Sequence, residues 1–355
     1  MSAPLNAETI ARAPKVLLHD HLDGGLRPRT VLELAEEFGY RDLPVADPES
    51  LGTWFRQAAD SGSLVQYLET FAHTVGVMQQ PDAIHRVARE CALDLAADGV
   101  IYAEVRFAPE LSTAQGLPIE AVVEAMVDGF AAGSRDARSP ISVGALLCAM
   151  RQDDRWYEVA DLVVRYRDAG VVGFDLAGPE DGFPPDRIPS AIGMLVGAGA
   201  HRTIHAGEAF GVESIRAALD GAHAERLGHG VRIADEVPED GDLGPLARRV
   251  RDEQVTLEIA PSSNVQTGAY PSLAAHPVDR LHRLGFAVTL NTDNRLMSGV
   301  SVTSEFADVA GTFGWTWDDV QTLTERALAA AFAPENERAR LRDDVVRPGF
   351  AALRD

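Results

Sequence analysis

The sequence predicts a (β/α)8 TIM barrel of the α/β class. Three observations predict it: eight short apolar runs rich in β-forming residues, helix-period stretches alternating with them, and polar residues gathered where the runs end. The runs are KVLLHDH (15–21), VIYAEVRF (100–107), ISVGALLCAM (141–150), VVGFDLAG (171–178), RTIHAGE (202–208), RLGHGV (226–231), VTLEIAPSS (255–263) and FAVTLNTD (286–293). Mostly unbroken by charge, they read as parallel strands buried on both faces. Between them, IEAVVEAMVDGFAAGSRD and WYEVADLVVRYRDAG carry apolar residues at a spacing near 3.6, and VESIRAALDGA is a shorter case. The long gap between the first two runs holds further helical segments, including PRTVLELAEEFG, SLVQYLETFAHTVGVM and PDAIHRVARECALDLAADG. Residues 22–99 are therefore expected to form a helical insertion between strands 1 and 2, a lid over the barrel. VQTLTERALAAAFAPENERARLRDDV reads as extra C-terminal helices, ADEVPEDGDLGP as a solvated acidic loop, and residues 1–355 as a single domain.

Composition narrows the function. The chain has 355 residues, 46% of them apolar, which is ample for a core of this kind. A net charge of −22 argues against a nucleic-acid partner, which would need clustered Lys and Arg, and against an anionic membrane surface. No window resembles a membrane span, and MSAPLNAETIARAPK lacks the apolar core of a secretory signal, so a cytoplasmic location is expected. Cys91 and Cys148 each sit in an apolar segment without a C-x-x-C, as packing residues of a reduced compartment would.

The strand ends carry the chemistry. His19 and His21 stand two apart in KVLLHDHLDGG, so on a strand they share one face. An isolated H-x-H is more readily a solvated strand end. Here, however, His205 and Glu208 end the fifth run, His229 the sixth and Asp293 the eighth. In a parallel barrel all these ends open on one mouth, where active sites sit. His19, His21, His205 and Asp293 make a three-nitrogen, one-oxygen set suited to a borderline cation such as zinc, one per chain. Such an ion lowers the pKa of its bound water toward ~7. A binuclear centre bridged by a carboxylated lysine is excluded, because the only lysine, Lys15, lies at the opposite end of the first run. Glu208, in a lidded pocket, would have its pKa raised by desolvation, as a general acid at neutral pH requires, although a nearby cation pulls the other way. His229, flanked by glycines, can approach a metal-bound water closely.

At this point the chain resembles a known family. KVLLHDHLDGGLRP, DLAG, IHAGE, RLGHGV, PSSN and TLNTDN stand in the order and spacing of the adenosine deaminases, zinc-dependent barrels of the amidohydrolase superfamily. The likeness runs from residue 15 to about residue 300, and six ordered motifs are far more specific than any one of them. It implies zinc ligation by His19, His21, His205 and Asp293. It further implies that Glu208 protonates purine N1 as hydroxide attacks C6, and that His229 with Asp293 orients the water and helps deprotonate it. Asp23 would contact the ribose 5′-hydroxyl, Gly178 the purine edge near N3, and His21 also the sugar. The implied reaction converts adenosine or 2′-deoxyadenosine and water to inosine or 2′-deoxyinosine and ammonia, with a small-molecule purine nucleoside as the partner. Two departures stand out. Where the family commonly has SLNTDDP, this chain has TLNTDNR, with Asn294 at the acid that hydrogen-bonds N7; an amide can donate the same bond without needing protonation. Ala260 replaces the cysteine of CPSSN, a small apolar exchange. Trp54 and Phe55 fit a lining of the lid or ordinary core equally well. Related 6-aminopurines (adenine, 5′-thio-substituted adenosine, an aminodeoxyfutalosine-like nucleoside) are the alternative substrates. A catalytically silent binding module is the alternative of another class, which the intact metal set opposes.

Overall fold

The computed structural model describes residues 3–239 and 242–354, so Asp240 and Gly241 of the acidic loop lie outside the described residues. Eight strands form where the apolar runs stand: β1 (Lys15–His21), β2 (Val100–Phe107), β3 (Ser142–Met150), β4 (Val171–Ala177), β5 (Thr203–Ala206), β6 (Arg226–His229), β7 (Thr256–Ile259) and β8 (Val288–Leu290). Every neighbouring pair is parallel, in the orders β1-β2-β3-β4 and β5-β6-β7-β8. Two bridges join the halves into a ring, Phe174 with Arg202 and Asp20 with Asp293. At the second seam the His21 amide donates to the Asp293 carbonyl at 2.7 Å and the Asp293 amide to the His19 carbonyl at 3.0 Å. Closing the barrel therefore sets Asp293 beside both histidines of β1, although 272 residues separate it from His21.

The last four strands are shorter than their apolar runs because the chain turns out of extended geometry just beyond them. Gly207 has φ 70°, Gly230 φ 65° and Asp293 φ 56°, values outside the extended region. Glu208 and Asp293 thus lie on the loops after β5 and β8 and do not end the strands themselves. Helices fill the spaces between strands. Five of them, Pro28–Phe38, Pro48–Ala59, Leu64–Glu69, Phe71–Val77 and Pro81–Ala97, lie between β1 and β2. Proline opens the first, second and last of these, where its missing N–H has no helical partner to lose. The C-terminal region folds into further helices from Val302 onward. Among the described residues no helix is long and apolar enough to cross a membrane.

Below the mouth the barrel interior is charged. Arg106 bonds Glu258 at 2.7 Å and Asp175 at 3.0 Å, and Arg226 bonds Glu258 at 2.7 Å and Glu104 at 2.5 Å, every one of them buried. Lys15 is buried at the far end, its Nζ donating to the Ile10 and Ala13 carbonyls at 2.8 and 2.9 Å. This layer supports the mouth from beneath.

Candidate metal centre and active site

His19, His205, His229 and Asp293 each offer one ligand atom, and those four atoms lie within 4.8 Å of one another. His21 joins the group, its Nε2 being 3.3 Å from both His205 Nε2 and Asp293 Oδ1. The four side chains predicted to bind metal are brought together, and His229 stands among them. Two members adopt left-handed backbone, His229 at φ 60° and Asp293 at φ 56°. Such conformations cost of order 1–3 kcal/mol and persist where the surrounding fold imposes them. Gly228 makes the closeness of β5 and β6 feasible: a Cβ there would stand 3.1 Å from His205 Cα and 3.2 Å from His19 Cε1.

The far sides of the rings fix what the near sides present. His19 Nδ1 is 3.1 Å from Glu258 Oε2, and His205 Nδ1 is 3.0 Å from Asp175 Oδ2. A carboxylate only accepts, so each Nδ1 carries the proton and each Nε2 turns a lone pair inward. His19 Nε2 is buried without a hydrogen-bond partner, 3.2 Å from Asp293 Oδ1. Ser263 donates to Asp293 Oδ2 at 2.6 Å, leaving Oδ1 for the cluster. Inward lone pairs facing a buried carboxylate form a site that a divalent cation fits.

Glu208 stands beside the cluster, its Oε2 3.6 Å from His229 Nε2. Burial pushes its carboxyl well above the ordinary value, and the charges of Asp293 and Glu180 add to the shift. A shift in this direction favours the protonated carboxyl, the form that can give a proton. Its loop is fastened by Glu180, which sequence reasoning missed. That carboxylate accepts the amides of Gly207 (2.5 Å), Glu208 (3.1 Å), Ala209 (2.7 Å) and Phe210 (2.8 Å) and the Ser214 hydroxyl (2.5 Å). Arg151 ties the end of β5 to the segment after β4, donating to the His205 and Phe183 carbonyls.

A cavity of about 350 Å³ opens onto these groups. Asp23, Gly178 and Asn294, the predicted substrate contacts, line it with His21, His205, Glu208, His229 and Asp293. Asp23 Oδ1 and Asn294 Oδ1 are buried without partners, and burial raises the Asp23 carboxyl to about 7. Gly178 has φ 103°, and a Cβ there would meet Gln152 Oε1 at 2.4 Å, so only glycine brings its backbone to this wall. Trp54 and Phe55 do not line the cavity: Phe55 is fully buried core, and Trp54 packs against that core. The apolar wall includes residues of 64–75, among them Tyr67, Leu68 and Phe71, together with Leu111 and Met150. Also missed were Glu258 and Asp175 behind the histidines. A signal for them existed, since lone acids inside the apolar runs TLEI and GFDLA need buried partners.

A closed parallel barrel that collects imidazoles, a carboxylate and a neutral acid at one mouth is the arrangement of a metal-dependent barrel hydrolase. The comparisons narrow this class: the chain belongs to the adenosine deaminase family, whose model matches residues 14–348. It is 58% identical over 354 residues to adenosine deaminase 1 of Streptomyces coelicolor, covering 98% of this chain and 89% of that one. It is 55% identical over 360 residues to the adenosine deaminase of Mycolicibacterium vanbaalenii, covering 99% of each. The crystal structure of an adenine deaminase from Arthrobacter aurescens superposes with a TM-score of 0.85 at 28% identity, over 94% of this chain and 98% of that one.

Proposed function

We propose that this enzyme deaminates adenosine and 2′-deoxyadenosine hydrolytically, giving inosine or 2′-deoxyinosine and ammonia, with one zinc ion held by His19, His21, His205 and Asp293. The observation that carries the reading is the meeting of His19, His21, His205 and Asp293 at one mouth, beside a cavity that Asp23, Gly178, Glu208 and Asn294 line. When bound, zinc supplies the Lewis acidity that makes water a nucleophile near neutral pH.

The chain's own residues do the rest. Glu208 gives its proton to purine N1, which drains electron density from C6 and opens that carbon to attack. Asp293 Oδ1 and His229 face the point from which water attacks and orient it. Asp23 receives the ribose 5′-hydroxyl, Gly178 approaches the N3 edge and Asn294 donates to N7. His21 borders both metal and sugar. The helices of residues 22–99 serve as the lid, and Tyr67, Leu68 and Phe71 exclude solvent from the bound base. Among the described residues the cavity is lined by Asp23, Glu69, Glu208 and Asp293 and by no arginine or lysine, which supports a neutral nucleoside over a phosphorylated one. Adenine itself is the second reading, favoured by the likeness to an adenine deaminase; an unpartnered buried Asp23 supports the sugar-bearing substrate instead. The scarcity of cysteine supports a reducing, cytoplasmic setting.

Loss of the adenosine absorbance band with zinc-loaded protein tests this. A panel of adenosine, adenine, a 5′-thio-substituted adenosine, an aminodeoxyfutalosine-like nucleoside and AMP is expected to give the highest kcat/KM for adenosine and 2′-deoxyadenosine. No turnover of adenosine at millimolar concentration overturns the reading.

A further inference from the structure

A directional chain of hydrogen bonds runs into the site from behind His229, beginning at a donor that cannot be reversed. The backbone amide of Val278 donates to His276 Nδ1 at 3.1 Å. That nitrogen is an acceptor, so the proton of this neutral ring resides on Nε2. His276 is buried, and burial lowers it to about 3, in keeping with a neutral ring. Its Nε2 lies 3.2 Å from Asn264, which must therefore receive the proton on Oδ1. The amide's other end, Nδ2, then points to His229 Nδ1 at 3.1 Å and donates to it. Asn264 and His229 are both buried, so no solvent competes for these bonds.

His229 is thus the opposite of His19 and His205. Carboxylates behind those rings draw the proton to Nδ1 and free Nε2; an amide donor behind His229 occupies the Nδ1 lone pair and leaves the proton on Nε2. Nor can His229 take a second proton without turning an Nδ1–H against the Asn264 N–H. Resting on the deaminase reading above, we propose that His276 and Asn264 are positioning residues that hold His229 as its Nε2–H tautomer. In that form His229 meets the attacking oxygen as a hydrogen-bond donor and serves neither as a metal ligand nor as a proton acceptor. Of the two tasks the family resemblance gives His229, orientation stays with it. The proximity of His229 to the ligand cluster is then contact without coordination.

The tautomer is read directly by 15N NMR of the unaltered, zinc-loaded chain labelled at histidine, with His229 assigned by its loss in His229→Gln. The expected result is an unprotonated Nδ1 and a protonated Nε2 from pH 6 to pH 9. An Nδ1–H or doubly protonated ring overturns the proposal. Kinetics give a second arm: Asn264→Asp offers only acceptor oxygens and draws the ring proton to Nδ1. With the wrong tautomer, kcat should fall at least ~100-fold, since wrong-tautomer variants elsewhere lose up to about 10⁴. KM should stay within about threefold and zinc at one per chain. A loss of kcat below about threefold, or a KM that rises with it, also overturns the proposal. Failure of the unaltered enzyme to deaminate adenosine counts against the functional reading, while the NMR result still decides the tautomer; an active enzyme with Nδ1–H His229 refutes this inference alone.

Discussion

At the scale of single residues, the site depends on what stands behind each functional group. Burial beside other acids raises the Glu208 carboxyl well above its ordinary value, the direction the proposed proton donor needs. Replacing it with glutamine keeps the shape and removes the transferable proton. Glu208→Gln is expected to lower kcat ~10²–10⁴-fold, with KM for adenosine and bound zinc little changed, by steady-state kinetics and metal analysis. Asn294 replaces a family acid at a position whose Oδ1 is sealed and whose side chain borders the cavity. Asn294→Ala removes the donor proposed for purine N7, a net effect of about 1 kcal/mol, so kcat/KM for adenosine should fall by roughly five- to tenfold. A value equal to the unaltered chain would remove N7 recognition from Asn294.

At the scale of elements, the loops after the strands are held as firmly as the strands themselves. Gly207–Phe210 turns four successive amides onto Glu180, which places the backbone of Glu208 without touching the cavity. Glu180→Gln puts an N–H2 among those donors and leaves one of them facing another donor. The expected outcome is faster hydrogen exchange across residues 207–210, by at least ~10-fold, together with a lower kcat. Unchanged exchange would show that the loop is ordered by other contacts. Sealing the barrel between β8 and β1 has the same character, since two backbone hydrogen bonds bring Asp293 to the histidines.

At the scale of the whole molecule, the metal mouth rests on a buried ionic layer. Arg106 pairs with both Glu258 and Asp175, the two acids that hold His19 and His205, and Arg226 pairs with Glu258 as well. Arg106→Leu leaves those carboxylates buried with too little positive charge and should destabilise the fold by about 3–5 kcal/mol, seen in the denaturant midpoint. A change below 1 kcal/mol would show that Arg226 and the histidines compensate. The same layer sets the acid limit. Burial opposes ionisation of Glu258, but Arg106 and Arg226 outweigh it and depress its carboxyl below the ordinary 4.5. Asp175 is depressed likewise, burial being outweighed by His205 and Arg106. A carboxylate with a depressed folded pKa contributes stability that is fully present above its ordinary pKa and is lost as pH falls through the folded value. In zinc-free protein, the contribution of this layer should hold from pH 7 to 5 and decline below about 4.5, with a shallower decline in Glu258→Gln. Equal slopes would exclude Glu258 as a source.

What the sequence by itself determined was the ring of eight strands and the residues on its rim. Apolar runs of strand length alternating with helical periods allow few other folds, and parallel strands must deliver their C-terminal ends to one mouth. His19, His21, His205, Glu208, His229 and Asp293 were legible because each follows or ends such a run. Their roles needed the tertiary structure, because a role depends on partners far away in the chain. Glu258 behind His19 and Asp175 behind His205 come from other strands, so no local pattern announces them as proton holders. Glu180 looks like any loop acid until four amides turn toward it. Trp54 and Phe55 fitted two positions by spacing, and only packing put them in the core and residues 64–75 at the cavity. Local spacing records which face a side chain takes; only the closed barrel decides which donor or acceptor waits on that face, and so which way each proton points.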